Sequence, residues 1–295
     1  MEYYAHGKLL LTGEYTVLHG AQALAVPTKQ GQSLKVTPTD SHWLSWKGYT
    51  MTGDLWFEAH YEIENFNIVT TNHQAVAERL ASILNAIRNQ NPDFCKEAVN
   101  VTTQLEFNQS WGLGSSSTLL SCLSQWAGID PYKLLDDTLG GSGYDIACAQ
   151  QAHPILYQRI EGKPFSENAL FNPPFMDELY FVYLNQKQDS QKEVAAYKQQ
   201  EVNPSLINTI SGLTQEWIIC SEFENFLNLI DEHENLMADH LQRPRIQQKL
   251  FPDFKGRIKS LGAWGGDFIL AAGGDASYFS QKGYTTLKKY SEFIL

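Results

Sequence analysis

Two glycines and a cluster of hydroxyls in the run Ser110-Trp-Gly-Leu-Gly-Ser-Ser-Ser-Thr118 stand directly before the apolar stretch Leu119–Ile129. Glycine lets a backbone approach an anion closely, and the first amides of a helix are unpaired donors at the positive end of its dipole. Hydroxyls at that place cap the amides, hydrogen-bond phosphate or ligate a divalent cation. The pattern therefore supports phosphate cradling, with a nucleotide as the natural guest; the plain alternative is a capped helix. No Gly-Lys-Ser/Thr occurs in the chain, so any phosphate lysine must come from another segment.

A second constellation is Gly141-Ser-Gly-Tyr-Asp145. A carboxylate behind such a turn can accept the proton of a substrate hydroxyl, or it can cap the short helix that follows. Lys8 is a strand lysine that would either sit solvated at an edge or stabilise a developing oxyanion. His233, Glu234 and His240 do not have the spacing of His-Glu-x-x-His, and no metal is assigned to them.

The elements that must position these residues are legible in outline. Lys8–Thr12, Tyr15–Leu18, Ala23–Pro27 and Ser33–Pro38 read as strands and turns of one sheet, and residues 43–63 as further strands. Val76, Leu80, Ile83, Leu84 and Ile87 have helical spacing that ends before Asn91-Pro92. Val99–Phe107 alternates as a strand feeding the glycine run, and a helix over roughly 115–128 follows it. Asp130–Leu139 reads as a short connection. Beyond Asn172-Pro-Pro174, the candidate domain boundary, Leu179–Leu184 and Phe268–Ala272 read as strands. Phe226, Ile230, Met237 and Leu241 mark a helix, and Thr286–Leu295 reads as strand or helix.

The chain has 295 residues, 43% of them hydrophobic, which is enough for a packed core and more often two domains than one. A formal charge of −11 argues against a general nucleic-acid binder and requires local positive charge wherever an anionic substrate docks. Cysteines at 95, 122, 148 and 220 are too scattered for a zinc site or disulfide framework. The amino terminus lacks a signal-peptide pattern and no apolar run approaches a membrane span, so the expectation is a cytoplasmic protein, monomer or homodimer, without membrane or nucleic-acid partners.

Four segments, Gly7–Gly20, Trp111–Ser117, Gly141–Asp145 and Lys259-Ser-Leu-Gly-Ala-Trp-Gly-Gly-Asp267, resemble in order and spacing the signature motifs of the GHMP kinases, which include galactokinase, homoserine kinase and the mevalonate-pathway kinases. Gly13-Glu-Tyr15 and Gly265-Gly-Asp267 are most similar to the phosphomevalonate kinase branch, as is Gly141–Gln150 with the Ile155–Gln158 stretch after it.

The resemblance implies an α+β fold of two domains. Residues 1–172 would form a ribosomal-protein-like α/β domain with a left-handed βαβ unit, and 173–295 a ferredoxin-like domain. It implies ATP on Gly112, Leu113, Gly114, Ser115, Ser116 and Ser117, with Mg²⁺ on Ser116, and Asp145 and Lys8 as the catalytic pair. The acceptor, a small molecule with a hydroxyl or phosphate, would meet Tyr15, His19, Ser142, Gly143, Lys187, Ser190, Lys192, Gly265, Gly266 and Asp267. Trp264 departs from the glycine usual there, and the connection 130–139 replaces a helix that supplies a metal-binding glutamate in mevalonate kinases. The implied activity is γ-phosphoryl transfer from ATP to mevalonate or phosphomevalonate. The alternatives are another acceptor, such as a sugar or amino-alcohol, and a non-catalytic ATP-binding protein of the same fold.

Overall fold

The computed structural model describes residues 1–187, 193, 194, 197 and 201–295. Its strands are β1 (Glu2–Leu10), β2 (Ala23–Pro38), β3 (Trp43–Tyr49), β4 (Leu55–Glu62), β5 (Ile68–Thr71), β6 (Val99–Leu105), β7 (Ile155–Ile160), β8 (Lys163–Asn168), β9 (Leu179–Tyr183), β10 (Arg257–Ser260), β11 (Phe268–Ala272) and β12 (Leu287–Lys289). The helices are α1 (Gln74–Gln90), α2 (Ser115–Ala127), α3 (Pro131–Thr138), α4 (Tyr144–Ala149), α5 (Pro204–Ile219), α6 (Phe223–Leu241), α7 (Ile246–Leu250), α8 (Ser277–Gln281) and α9 (Tyr290–Phe293). The chain is thus α+β, and it groups into two compact units: residues 1–7, 30–109 and 113–150, and residues 8–29, 110–112 and 151–295.

In the first unit, β3 pairs antiparallel with β4 and β4 with β5, while β3 runs parallel to β6, from Ser45 opposite Asn100 to Tyr49 opposite Gln104. A parallel pair needs a crossover, and β4, β5 and α1 lie in the intervening chain. β6 then pairs antiparallel with Gln32–Pro38 of β2. Ala77, Leu80, Ile83, Leu84 and Ile87 of α1 are buried against Leu34, Val36, Trp46, Phe57 and Tyr61 of the strands and Leu120 and Leu123 of α2. This one-sided stripe is what holds α1 helical, because its first turn has no side-chain cap.

In the second unit, Ala23–Ala25 of β2 pair with β7, and β7 forms a hairpin with β8 through Glu161 and Gly162, both left-handed as a two-residue hairpin turn requires. A separate antiparallel sheet has the order β10-β11-β9-β12. Asn203 caps α5 by accepting from the Ser205 N–H at 2.9 Å, with Pro204 in the first helical position. No helix among the described residues is long and apolar enough to cross a membrane.

The structure corrects several local expectations. Ala23–Pro38 is one strand rather than two, because Gly31 serves close approach: a Cβ there would stand 2.2 Å from the Ala5 carbonyl oxygen. Tyr15–Leu18 is not a strand; Thr16–His19 form a 3₁₀ turn. Lys8 lies near the end of β1, not at its start. The connection 130–139 contains α3, started by Asp130, whose carboxylate accepts from the Tyr132 N–H at 2.8 Å, and by Pro131. The closing segment is both things, β12 and then α9.

Candidate functional site

Within the first unit, Gly114 begins α2 in the left-handed region, and no side chain caps the helix. The serines are therefore free for other work. Ser117 is buried and its hydroxyl donates to Asp145 Oδ2 at 2.6 Å, while Thr118 donates to Gln32 Oε1 at 2.6 Å. Ser115 is half-buried and Ser116 exposed; Leu113 is fully buried and seats the bend in the core. Asp145 stands in the first turn of α4, whose preceding residue Gly143 is left-handed, with Ser142 buried before it. The two glycine-bearing bends read from the sequence thus meet through a hydroxyl and a carboxylate. Uncapped amides, Ser116 and Asp145 together offer anion donors and hard oxygen ligands at one helix end.

Within the second unit, the Lys8 ammonium donates to the Gly112 carbonyl at 3.2 Å. Gly112 has φ 68°, and a Cβ built on it would lie 2.3 Å from Asp267 Oδ2. Only glycine fits between that carboxylate and the loop. Asp267 is itself held by the backbone, its N–H donating to Gln186 O at 2.7 Å and its carbonyl accepting from the Leu184 N–H at 2.8 Å. In the third glycine segment Gly265 is left-handed and half-buried and Gly266 is buried, while a Cβ on Gly262 would meet nothing within 4 Å.

The turn Gly13–Tyr15 is built on charge. Glu14, His233, Glu234 and Lys259 are all fully buried. Lys259 Nζ donates to Glu14 Oε1 at 2.5 Å and to Ser260 O at 2.6 Å, and stands 3.4 Å from Glu234 Oε1. Glu234 in turn accepts from the N–H and hydroxyl of Ser260, each at 2.9 Å. Gly13 N–H donates to His233 Nε2 at 3.3 Å, and the same nitrogen stands 3.5 Å from Glu14 Oε2. Burial, followed by the Lys259 charge, holds His233 well below the ordinary imidazole range. Burial pushes the Glu14 carboxyl up to about 7, against the opposing pull of Lys259, and raises Glu234 as well.

Tyr15 is left-handed, and its hydroxyl donates to Ala263 O at 2.9 Å and to Glu193 at 3.3 Å; Arg243 bonds Glu193 at 2.8 Å. His19 is exposed and packs edge-on against Tyr197. Lys187 is exposed, whereas Ser190 and Lys192 lie outside the described residues. Lys259, His233 and Glu234 escaped the sequence reading as a group because Lys259 and Glu14 are 245 positions apart and no local pattern marks a buried charge.

No family model and no curated protein matches this sequence. Solved structures do. A Methanococcus jannaschii mevalonate kinase superposes with a TM-score of 0.70 at 13% identity, covering 98% of this chain and 96% of that one. A Streptococcus pneumoniae phosphomevalonate kinase, in complex with phosphomevalonate and AMPPNP, gives 0.66 at 17% identity over 99% and 96%. A Lactococcus lactis galactokinase complexed with galactose gives 0.63 at 10% identity over 97% and 92%. The fold of this chain is the fold these kinases share, the GHMP kinase fold.

Proposed function

We propose that this chain, having the GHMP kinase fold, is an ATP-dependent phosphotransferase that moves the γ-phosphoryl group to a mevalonate-pathway acceptor, phosphomevalonate or mevalonate. The observation that supports the reading is the Ser117–Asp145 hydrogen bond at the start of α2, where no side chain caps amides suited to an anion. In this reading the α2 amides, that of Ser117 among them, and the Ser115 and Ser116 hydroxyls hold the triphosphate. The Asp145 carboxylate takes the proton of the acceptor hydroxyl as its oxygen attacks the γ-phosphorus and the bond to the β-phosphate oxygen breaks, releasing ADP. Ser117 orients Asp145, and Lys8 offsets negative charge on the oxygens.

Mg²⁺ is taken by oxygen donors completed by phosphate and water, a description that the exposed Ser116 hydroxyl fits, and when bound it would neutralise charge on the transferring group. α3 carries Asp136 and Asp137, both exposed, and no glutamate, so no further protein ligand is assigned. Tyr15, His19, Ser142, Gly143, Lys187, Ser190, Lys192, Gly265, Gly266 and Asp267 are assigned to the acceptor side. Residues 1–172 and 173–295 are the two domains of this reading, and the enzyme is cytoplasmic.

The test is ADP release from the purified protein with Mg²⁺–ATP and mevalonate, phosphomevalonate, galactose or homoserine in turn. Acceptor-dependent ADP with one of the first two supports the reading. ADP with galactose or homoserine alone reassigns the acceptor, and ATP binding without any acceptor-dependent ADP overturns catalysis.

A further inference from the structure

A large buried side chain stands where the backbone is suited to glycine. Trp264 has φ 47°, a region that bulky L-residues avoid, and Gly265 beside it has φ 121°. The Trp264 side chain is almost wholly buried at 4% exposure, and its indole N–H has no acceptor among the described residues. Buried donors are rarely left unpaired, because the lost hydrogen bond to water is not replaced. Trp264 is thus unfavourable in its backbone and in its polar atom together, and closing the turn, where its own N–H reaches Leu261 O at 3.4 Å, requires neither.

The segment around it is pinned at both ends. Ala263 O receives the Tyr15 hydroxyl, and Asp267 is tied to residues 184 and 186. The Asp267 carboxylate lies against Gly112, the first glycine of the run read as a phosphate cradle. An indole donates and cannot accept, and it carries no charge, so its partner is an acceptor oxygen that it orients without neutralising.

We propose that Trp264 reads a bound ligand: its indole N–H donates to an oxyanion oxygen, phosphoryl or carboxylate, of a molecule held at the 261–267 loop. The inference rests on the phosphotransferase reading for the presence of such a molecule, and it deepens that reading by naming a residue that selects it.

The protein has seven tryptophans, so indole-¹⁵N labelling gives seven indole resonances, and the one missing from Trp264→Phe, or from Trp264→Tyr should the first variant not fold, is that of Trp264. The full chain is titrated separately with Mg²⁺–AMPPNP, mevalonate, phosphomevalonate and inorganic phosphate. A downfield shift of the Trp264 indole proton with at least one probe is expected. AMPPNP alone moving it places the oxygen on the nucleotide, and an acceptor alone moving it places the oxygen there. Trp264→Phe keeps the ring and loses the donor, so KM for the same molecule should rise about tenfold while kcat stays within about twofold. If the probes move other resonances but leave Trp264 in place, the donor is satisfied inside the protein and the inference is overturned while the kinase reading stands. If no probe moves any resonance of a folded sample, the kinase reading fails and the inference goes with it.

Discussion

Gly112 and Asp267 are in contact through backbone and carboxylate, with room for a hydrogen and nothing larger: a Cβ on Gly112 would stand 2.3 Å from Asp267 Oδ2 and 2.4 Å from its Cγ. Within the second unit Gly112 and Asp267 thus fit together, and the Lys8 ammonium donates to the carbonyl of the same Gly112 at 3.2 Å. Gly112→Ala should therefore suffer twice, from the left-handed φ of 68° and from the collision. The first costs about 1 kcal/mol and overpacking adds about 1–3 kcal/mol. Asp267→Gly removes the collision but not the strain, so the double variant should recover part of the loss. Urea unfolding of the four proteins checks this, and strict additivity would contradict it.

If the Asp145 carboxylate acts on the acceptor hydroxyl, as proposed, Asp145→Asn should lower turnover by about 10²–10⁴-fold and leave AMPPNP affinity within a few-fold. Ser117→Ala removes the donor that orients Asp145 and should give a smaller loss in kcat, roughly tenfold, with KM for ATP little changed. Equal losses in turnover and nucleotide affinity for Asp145→Asn would make it a structural residue of α4.

Periodicity and punctuation carry local structure well. The α1 stripe from Val76 to Ile87, the alternation of β6 and the glycine before α2 were each readable because the side chains that decide them are neighbours in sequence. α3 was hidden by its length: eight residues begun by Asp-Pro look like a turn until Leu134 and Leu135 find a core. Gly31 was misleading because glycine marks both a break and a close approach, and only the third dimension distinguishes them. The chemistry divides in the same way. As a candidate, Asp145 stands out by its turn, but the hydroxyl that meets it, Ser117, is one of three equivalent serines until the fold selects it. The Glu14–Lys259–Glu234–His233 cluster had no local signature, since a buried charge is defined by what surrounds it.

That cluster has a pH signature. The Glu14 carboxyl is raised by burial from an ordinary 4.5 to about 7, so its protonated form is favoured in the folded state. The stability it contributes is fully present below 4.5 and is lost as pH rises through 7. Glu14→Gln is neutral at every pH, so whatever stability it lacks relative to the native protein should shrink from pH 5 to pH 8. His233 contributes with the opposite sign: held neutral by burial, it stabilises above its ordinary 6.5 and loses that contribution as acid protonates the unfolded chain first. Melting temperatures of native and Glu14→Gln protein across this range are the measurement. A deficit that grows with pH would mean that pairing with Lys259 outweighs burial at Glu14.

Lys259 distinguishes stabilising from positioning. Its ammonium is the cation between two buried carboxylates, so Lys259→Met leaves both without it and should cost about 3–5 kcal/mol. Glu14→Leu/Lys259→Met removes the charge pair as a unit, while Glu234 keeps its two Ser260 donors. Replacing a buried pair with apolar groups is often neutral, so most of the stability should return. Activity should not return with it. Glu14 ties the turn containing Tyr15 to β10, and Tyr15 in turn holds Ala263 next to Trp264, so a leucine and a methionine restore packing without restoring register. The expected result is a double variant with near-native unfolding free energy, kcat still reduced about tenfold or more, and Lys259→Met alone worse on both measures. Recovery of kcat alongside stability would reduce the pair to a packing element.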